Sequence, residues 1–487
     1  MNRIKRLSSA GEYRFELGPK RPTTSAEMEL VNESPSTFMN INPIKKGAVM
    51  KLKRQSWRSI AIVVILLATP AIVSADAVAD WNAIAVQATV TGGRPGPTGA
   101  LDIAMVQAAV YDAVQAIEGQ FEPYHVEIPG ASGSPVAAAA KASHDVLVNR
   151  FPAPAQVMTL DMIYHQYLAD HWLDEDDAGV AVGAIAAAGI IALRANDGSF
   201  PVPPPPPFIG GADPGVWRPT PPGNLPMLAP WLASVTPFTL TSPSQFRAHP
   251  PPALTSPEYT RAYKEAKEKG ALNGSSRTPE QTDLAQFWAA NYVVLLNRLI
   301  RDIANAHVDN IGDSARLFAL ADLAMADTLI TAWDSKVYFV SWRPITAIQL
   351  GNSDGNPRTI GDPTWVPLIV TPNYPDQTSG ANNVTSAVTR ALALFFGTDE
   401  MTFQITTTNT GPTIEDTRTY NRFSDVAEDV VNARIYEGIH FRFADTAARK
   451  QGRHVADWAF KHFLRPLDDR NHHDHDDNDH DNDDRDQ

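Results

Sequence analysis

"GDSARLFALADLAMADTLITAWDSKVYFVSW", residues 312–342, carries apolar residues at helical spacing over its whole length, with no proline to interrupt it. A stretch of that length and pattern reads as one long helix, and its neighbours repeat the pattern. "SPEYTRAYKEAKEKG" (256–270) opens with Ser256 as N-cap and Pro257 at the first helical position. "TPEQTDLAQFWAANYVVLLNRLIRDIANAH" (278–307) follows as a second helical run, and the Ser/Thr-x-x-Glu/Asp starts read as capping boxes. Upstream, "ALDIAMVQAAVYDAVQAIEG" (100–119), "SPVAAAAKASHDVLVNRF" (134–151) and "DAGVAVGAIAAAGIIALRAND" (177–197) are helical too, and their alanines point to close helix–helix packing. No strand alternation is sustained, so the fold class is all-α, a multi-helix bundle. Residues 199–252, with "VPPPPP" and "HPPP", form instead a proline-rich arm, because proline fixes φ and removes the amide donor. Its simplest role is to wrap the body.

The chain has 487 residues, enough for a large core. Its formal charge of −14 argues against nucleic acid as a partner, since phosphate backbones need a basic footprint. With no cysteine, disulfides, thiolate metal sites and cysteine nucleophiles are excluded. "MKLKRQSWRSIAIVVILLATPAIVSA" (50–75) has a basic end, a short apolar stretch and the small-residue sequence Val73-Ser74-Ala75, the layout of a secretory signal. The expected organisation is therefore 1–49 as a mis-called start, 50–75 as signal peptide beginning at Met50, and 76–467 as the helical domain, acting in the periplasm or outside the cell. Membrane contact would come only through an uncleaved signal segment. The tail "DDRNHHDHDDNDHDNDDRDQ" (468–487) has no apolar residue and cannot pack, so it reads as disordered and solubilising.

Three segments carry chemistry. In "KVYFVSWRP", Lys336 and Arg343 lie seven residues apart, two turns of an unbroken helix, which puts both cations on one face and calls for an anion between them. Trp217-Arg218-Pro219, in the arm, lacks the upstream lysine and reads as structural. In "YPDQTSGANN" (374–383), Ser379-Gly380 stands before an apolar run. Free amides at a helix start, with a hydroxyl, make an anion site, although an ordinary Thr378 or Ser379 cap explains the segment equally well. In "NARIYEGIHFRFAD" (432–445), Arg434 offers a planar fork. Gly438 can end the helix and turn His440 back toward Arg434, with Asp445 as N-cap of the next helix.

The order Lys-x6-Arg-Pro, Ser-Gly at a helix start, then Arg-x5-His resembles the vanadium-dependent haloperoxidase and type 2 phosphatidic acid phosphatase superfamily, and "ARIYEGIHFRF" is close to the third haloperoxidase motif. The resemblance implies the helical bundle of that superfamily, with its oxyanion-site motifs over 336–445. It implies that Lys336, Arg343 and Arg434 hold the oxygens of vanadate, or of phosphate in the same site, that Ser379 and Gly380 complete the cradle, and that His440 is the metal ligand, or the nucleophile toward phosphorus. His440, Lys336, Arg343 and Arg434 would be the catalytic set. The implied activity is oxidation of halide by hydrogen peroxide, with an organic acceptor as a further small-molecule substrate. The alternatives are an acid phosphatase acting on phosphate esters, and an oxyanion-binding protein that has lost catalysis. Tyr338, Phe339 and Trp342 would form the halide-side wall.

The chain departs from the family pattern in three places. Ala381 stands where the second motif has its acid–base histidine, and loss of a positioned acid costs about 10²–10⁴-fold. Asp376 is a substitute acid if its pKa is raised. Ala433 replaces a serine before Arg434. Ala444, with Asp445 one step later, leaves open which residue supports His440.

Overall fold

The computed structural model describes residues 76–409 and 416–467. The expected signal segment, the preceding residues and the acidic tail lie outside the described residues. The bundle begins with α1 (Ala77–Thr91), α2 (Gly96–Glu118), α3 (Pro135–Arg150), α4 (Pro154–Asp170) and α5 (Ala178–Arg194). After the arm come α6 (Pro257–Gly270), α7 (Pro279–Trp288), α8 (Tyr292–His307), α9 (Ile311–Phe339) and α10 (Pro344–Gln349). The last part contains α11 (Gly380–Phe396), α12 (Phe423–Tyr436) and α13 (Arg442–His462). The fold is all-α apart from one antiparallel pair, β1 (Glu400–Thr406) and β2 (Thr417–Arg422).

The central element is α9, which packs on α2 on one side and on α11 and α13 on the other. Almost every α9 side chain from Ser314 to Trp333 is buried, which is why the segment reads as apolar all round rather than as a stripe. α2 is long and apolar enough to cross a membrane, but it is mostly covered by its neighbours, as a core helix is. The alanines of α3 and α5 do sit at a close contact. A Cβ at Gly183 would collide with the Ala138 carbonyl, so these helices approach backbone to backbone.

Two expectations about helix length are corrected. The run 278–307 is two helices, with Asn291 capping the second through its side chain on Val293 and Val294. The run 312–342 ends at Phe339, because Val340 adopts a left-handed conformation at φ 48° and returns its N–H to Lys336 O. The Ser256 cap forms as read, and α7 starts in a capping box of Thr278 with Gln281, not with a Glu or Asp.

The proline-rich arm wraps the body. Asp327, fully buried on α9, accepts from the amides of Phe238 and Thr239 at 2.6 and 2.7 Å and from the Thr239 hydroxyl at 2.6 Å. An extended segment with few donors of its own is thus tied down by one buried carboxylate. Further along, Trp217 N donates to Val340 O and Trp342 N to Gly215 O, so the arm braces the turn that follows α9. Arg218 contacts only the carbonyls of Ala212 and Asp213, in line with a structural Trp-Arg-Pro.

Candidate active site

Lys336 lies in the last turn of α9, and Arg343 is the residue before α10. They do not share a helix face, which corrects the two-turn reading. Pro344 disfavours the helical region for its predecessor, and Arg343 is extended at φ −84°, ψ 157°. The chain turns at Val340, and the turn, not helical periodicity, brings the two cations together. Both are fully buried and flank the Tyr374 ring, with Lys336 Nζ 4.8 Å and the Arg343 guanidinium carbon 4.9 Å from its centroid.

Lys336 Nζ donates to the carbonyls of Pro375 and Asp376 at 2.7 and 3.2 Å. Arg343 Nε donates to Tyr374 O at 2.7 Å and Nη1 to Ile439 O at 2.6 Å. Its Nη2 is buried with no hydrogen-bond partner among the described residues. An orphaned guanidinium nitrogen is costly unless a ligand meets it.

At the start of α11, Ser379 is the N-cap residue by position but its side chain caps nothing. Instead its hydroxyl accepts from Asn382 Nδ2 at 3.2 Å and shares a hydrogen bond with Asp445. Thr378 is not the cap either; its hydroxyl donates to Gln451 Oε1 at 2.8 Å and accepts from Asn383 Nδ2 at 2.9 Å. The ordinary-cap reading therefore fails, and the amides of the first turn keep no side-chain partner. At Gly380 an added Cβ would find only ordinary contacts, 3.5 Å from Trp333 and 3.9 Å from Leu329. Neither crowding nor a positive φ requires glycine there.

The third segment turns as Gly438 predicts. α12 ends at Tyr436, Gly438 has φ +79°, and a Cβ on it would strike the Gly270 carbonyl. His440 is returned into the core, 1% exposed. Its Nδ1 lies 2.7 Å from Asp376 Oδ1, and its Nε2 lies 3.0 Å from Arg343 Nη1. A guanidinium can only donate, so the tautomer that serves both neighbours carries the proton on Nδ1 and the lone pair on Nε2. Burial first, then the Arg343, Lys336 and Arg434 charges, push His440 well below the usual histidine range, leaving it neutral.

Asp376 is thus the support for His440, a residue named from sequence only as a substitute acid. Burial pushes its carboxyl up to about 7 against the pull of Arg343 and Lys336. Arg434 pairs with Glu437, Nη1 to Oε2 at 2.6 Å, and its Nε has no hydrogen bond among the described residues. Asp445 is not an N-cap: α13 begins at Arg442 after Phe441, and Asp445 lies buried in the first turn, accepting from Asn382 Nδ2 at 2.8 Å. Burial and the nearby Asp376 raise it well above the ordinary carboxyl range.

A cavity of about 490 Å³ opens beside these groups, walled by Tyr292, Trp333, Tyr374, Gly380, Ala381 and Arg434. The expected wall of Tyr338, Phe339 and Trp342 is elsewhere. Tyr338 is 62% exposed under Arg247, and Trp342 is buried in a separate cluster with Tyr259 and Phe441. Tyr338 lies within α9, two residues after Lys336 and so on another face, and Trp342 follows the turn at Val340. Sequence missed Trp333 and Glu437; only Glu437, three residues after Arg434 at the C-cap of α12, left a local signal.

The donor set has the chemistry of an oxyanion site. Three buried cations, one uncapped hydroxyl, free helix-start amides and one imidazole lone pair meet in one region, and each cation is near enough to depress His440. Residues 316–469, which contain all three motifs, match the family model of the VCPO second helical-bundle domain. Over this stretch the chain is similar to the vanadium haloperoxidase superfamily. Vanadium chloroperoxidase of Curvularia inaequalis is 32% identical over 164 residues, 29% of this chain and 26% of that protein, so the chain spans about a quarter of this relative's length. The first bacterial vanadium-dependent iodoperoxidase structure aligns with a TM-score of 0.68 at 23% identity, over 80% of this chain and 96% of that one. A holo bacterial vanadium-dependent chloroperoxidase aligns at 0.61 and 20% identity, over 75% and 91%. Both structural likenesses concern the fold. Among superfamily motifs, the second is the one this chain carries with alanine in place of histidine.

Proposed function

We propose that this chain is an exported vanadium-dependent haloperoxidase-like oxidoreductase that oxidises halide with hydrogen peroxide. The observation that carries the reading is the buried Asp376–His440–Arg343 arrangement, which offers a neutral imidazole Nε2 beside cations with unspent donors. Lys336, Arg343 and Arg434 would hold the oxygens of vanadate, with the Ser379 hydroxyl and Gly380 amide closing the cradle and His440 Nε2 as the ligand to the metal. Vanadate held there would supply a Lewis acid that polarises peroxide toward halide attack. The protein's own part is electrostatic and positional. The three cations neutralise charge on the oxygens, the first turn of α11 aims amides at them, and Asp376 fixes the ring orientation and tautomer of His440. Export would be directed by residues 50–75.

Ala381 favours a second reading, an oxyanion-binding protein with impaired turnover. Among the described residues lining the cavity there is no carboxyl and no imidazole to replace the missing acid–base group. Asp376 is committed to His440. A phosphatase has the same His440 nucleophile but depends more directly on that acid, because the leaving alkoxide must be protonated.

The test loads the purified full chain with orthovanadate and measures iodide and bromide oxidation with peroxide, and p-nitrophenyl phosphate hydrolysis without vanadate. Oxidation abolished by His440→Ala supports the first reading. Vanadate-inhibited hydrolysis without oxidation supports the phosphatase, and tight vanadate binding with neither activity supports the impaired site. Absence of any oxyanion binding rejects all three.

A further inference from the structure

We infer that a pocket between α11, α12 and α13 is a second anion site, taking a phosphate or sulfate group apart from the cradle. The pocket has a volume of about 310 Å³ and is lined by Ser386, Arg390, Asp399, Arg422, Arg449 and Arg453, among others. It shares no lining residue with the aromatic-walled cavity. Ser386 lies on α11 six residues after Gly380, ~9 Å along the axis and on another face.

Helix periodicity builds the walls. Ser386 and Arg390 are four residues apart on α11, and Arg449 and Arg453 are four apart on α13, so each pair shares a face. The two helices are in close contact, since a Cβ at Gly452 would strike the Asn383 carbonyl. Arg422 comes from the end of β2, just before α12. Guanidinium groups one turn apart repel each other, and an anion between them reverses the sign of that interaction.

The lining holds four guanidinium groups and one carboxylate. That carboxylate, Asp399, accepts from Arg422 Nε at 3.0 Å and from the Ser424 hydroxyl and amide at 2.6 and 2.9 Å. Arg390 Nε meets Asp457 at 2.6 Å and Arg449 pairs with Glu428, and neither of these carboxylates lines the pocket. Glu400 and Asp425 act on Arg422 from outside the lining. Each of the three pairs engages one guanidinium nitrogen, and Arg453 has no partner among the described residues. Donors therefore exceed acceptors.

Ser386 is the independent observation. It is 1% exposed, lines the pocket, and its Oγ has no hydrogen-bond partner among the described residues. A buried hydroxyl in that state costs free energy until a ligand or water meets it. A hydroxyl beside several planar forks suits a tetrahedral oxyanion. The volume, on the order of ten waters, also leaves room for an organic substituent on that group. None of this depends on the proposed function.

The test titrates the full chain with inorganic phosphate and with phenyl phosphate, followed by calorimetry and phosphorus NMR. The variants are Arg453→Glu, at an exposed position, and Ser386→Ala. Expected is one saturable phosphate-binding event weakened at least ~10-fold in each variant. Phosphate held in the cradle is unaffected by either change, which separates the two sites. The Ser386→Ala urea midpoint is expected to be no lower than the parent's, because the hydroxyl it removes has no partner in the fold. Tighter binding of phenyl phosphate identifies an ester as the ligand, and equal or weaker binding identifies the free ion. No phosphate binding, or equal affinity in the parent and either folded variant, overturns the inference and leaves the proposed function standing.

Discussion

Asp376 Oδ1 stands 2.7 Å from His440 Nδ1, joining two residues 64 positions apart in the chain at a site where both are buried. The carboxyl faces Arg343 as well, at 3.7 Å from Nη1. This pairing sets which imidazole nitrogen carries the lone pair, toward which Arg343 Nη1 donates at 3.0 Å. Asp376→Asn keeps the volume but offers an amide whose orientation no longer selects one tautomer. Vanadate affinity or halide oxidation is expected to fall about 10–100-fold, as for other residues that orient a ligand histidine. Vanadium NMR titration and steady-state kinetics read it; affinity and rate both unchanged would remove Asp376 from the site.

Ser379 and Thr378 separate stability from function. The Ser379 hydroxyl caps nothing, and its partners Asn382 and Asp445 keep their own 2.8 Å bond without it, so Ser379→Ala is expected to cost about 1 kcal/mol of stability while weakening oxyanion binding. Thr378→Val takes the donor from the buried Gln451 Oε1 and one of two acceptors from Asn383 Nδ2, and is expected to cost about 1–3 kcal/mol. Urea unfolding of both variants, with phosphate or vanadate titration of the first, checks the contrast. A large stability loss in Ser379→Ala would return that residue to a capping role.

Ala381 borders open cavity, so a larger side chain has room there. Ala381→His places an imidazole on the same wall as Gly380 and Arg434. If the rest of the site is competent, turnover is expected to rise by about 10²-fold or more, within the range of a positioned acid or base. A variant that binds vanadate as before and gains no rate would mean that a further element of the catalytic machinery is absent.

Asp322, fully buried on α9, has its carboxyl pushed up to about 7 by burial, against hydrogen bonding from Asn297 and the charge of Arg301. Its folded pKa is above its unfolded value, so between about pH 4 and 7 the folded state binds the extra proton. Stability contributed by this group is full at low pH and is lost as pH rises through 7. Asp322→Asn is expected to flatten the fall in unfolding free energy over this window and to gain up to a few kcal/mol at pH 8 relative to the parent. Urea midpoints at pH 5 to 8 measure it. An identical pH slope in the variant would show that Asp322 does not titrate in this range.

The helices were legible because their signals are local. Ser256-Pro257 starts α6 as read, α7 begins at the start of its apolar run with Thr278 as cap, and Gly119 and Gly438 end or turn the chain at positive φ. Lys336 and Arg343 were paired correctly for the wrong reason. Helical spacing implied one face, whereas the left-handed Val340 and the pre-proline Arg343 make a turn. The halide-side wall is elsewhere because Tyr338 lies on another face of α9 than Lys336 and Trp342 follows the turn.

By itself the sequence determined the all-α class, the starts of α3, α6 and α7, and the candidate residues Lys336, Arg343, Ser379, Gly380, Arg434 and His440. Each of these depends on residue type and short spacing, which the chain displays directly. Only the tertiary structure decided that Asp376 supports His440, that Ser379 is not a cap, and that Ala381 faces a cavity walled by Trp333 and Tyr374. Those facts depend on distances of a few ångströms between segments far apart in the chain, set by how α9, α11 and α12 pack, and no local pattern encodes them.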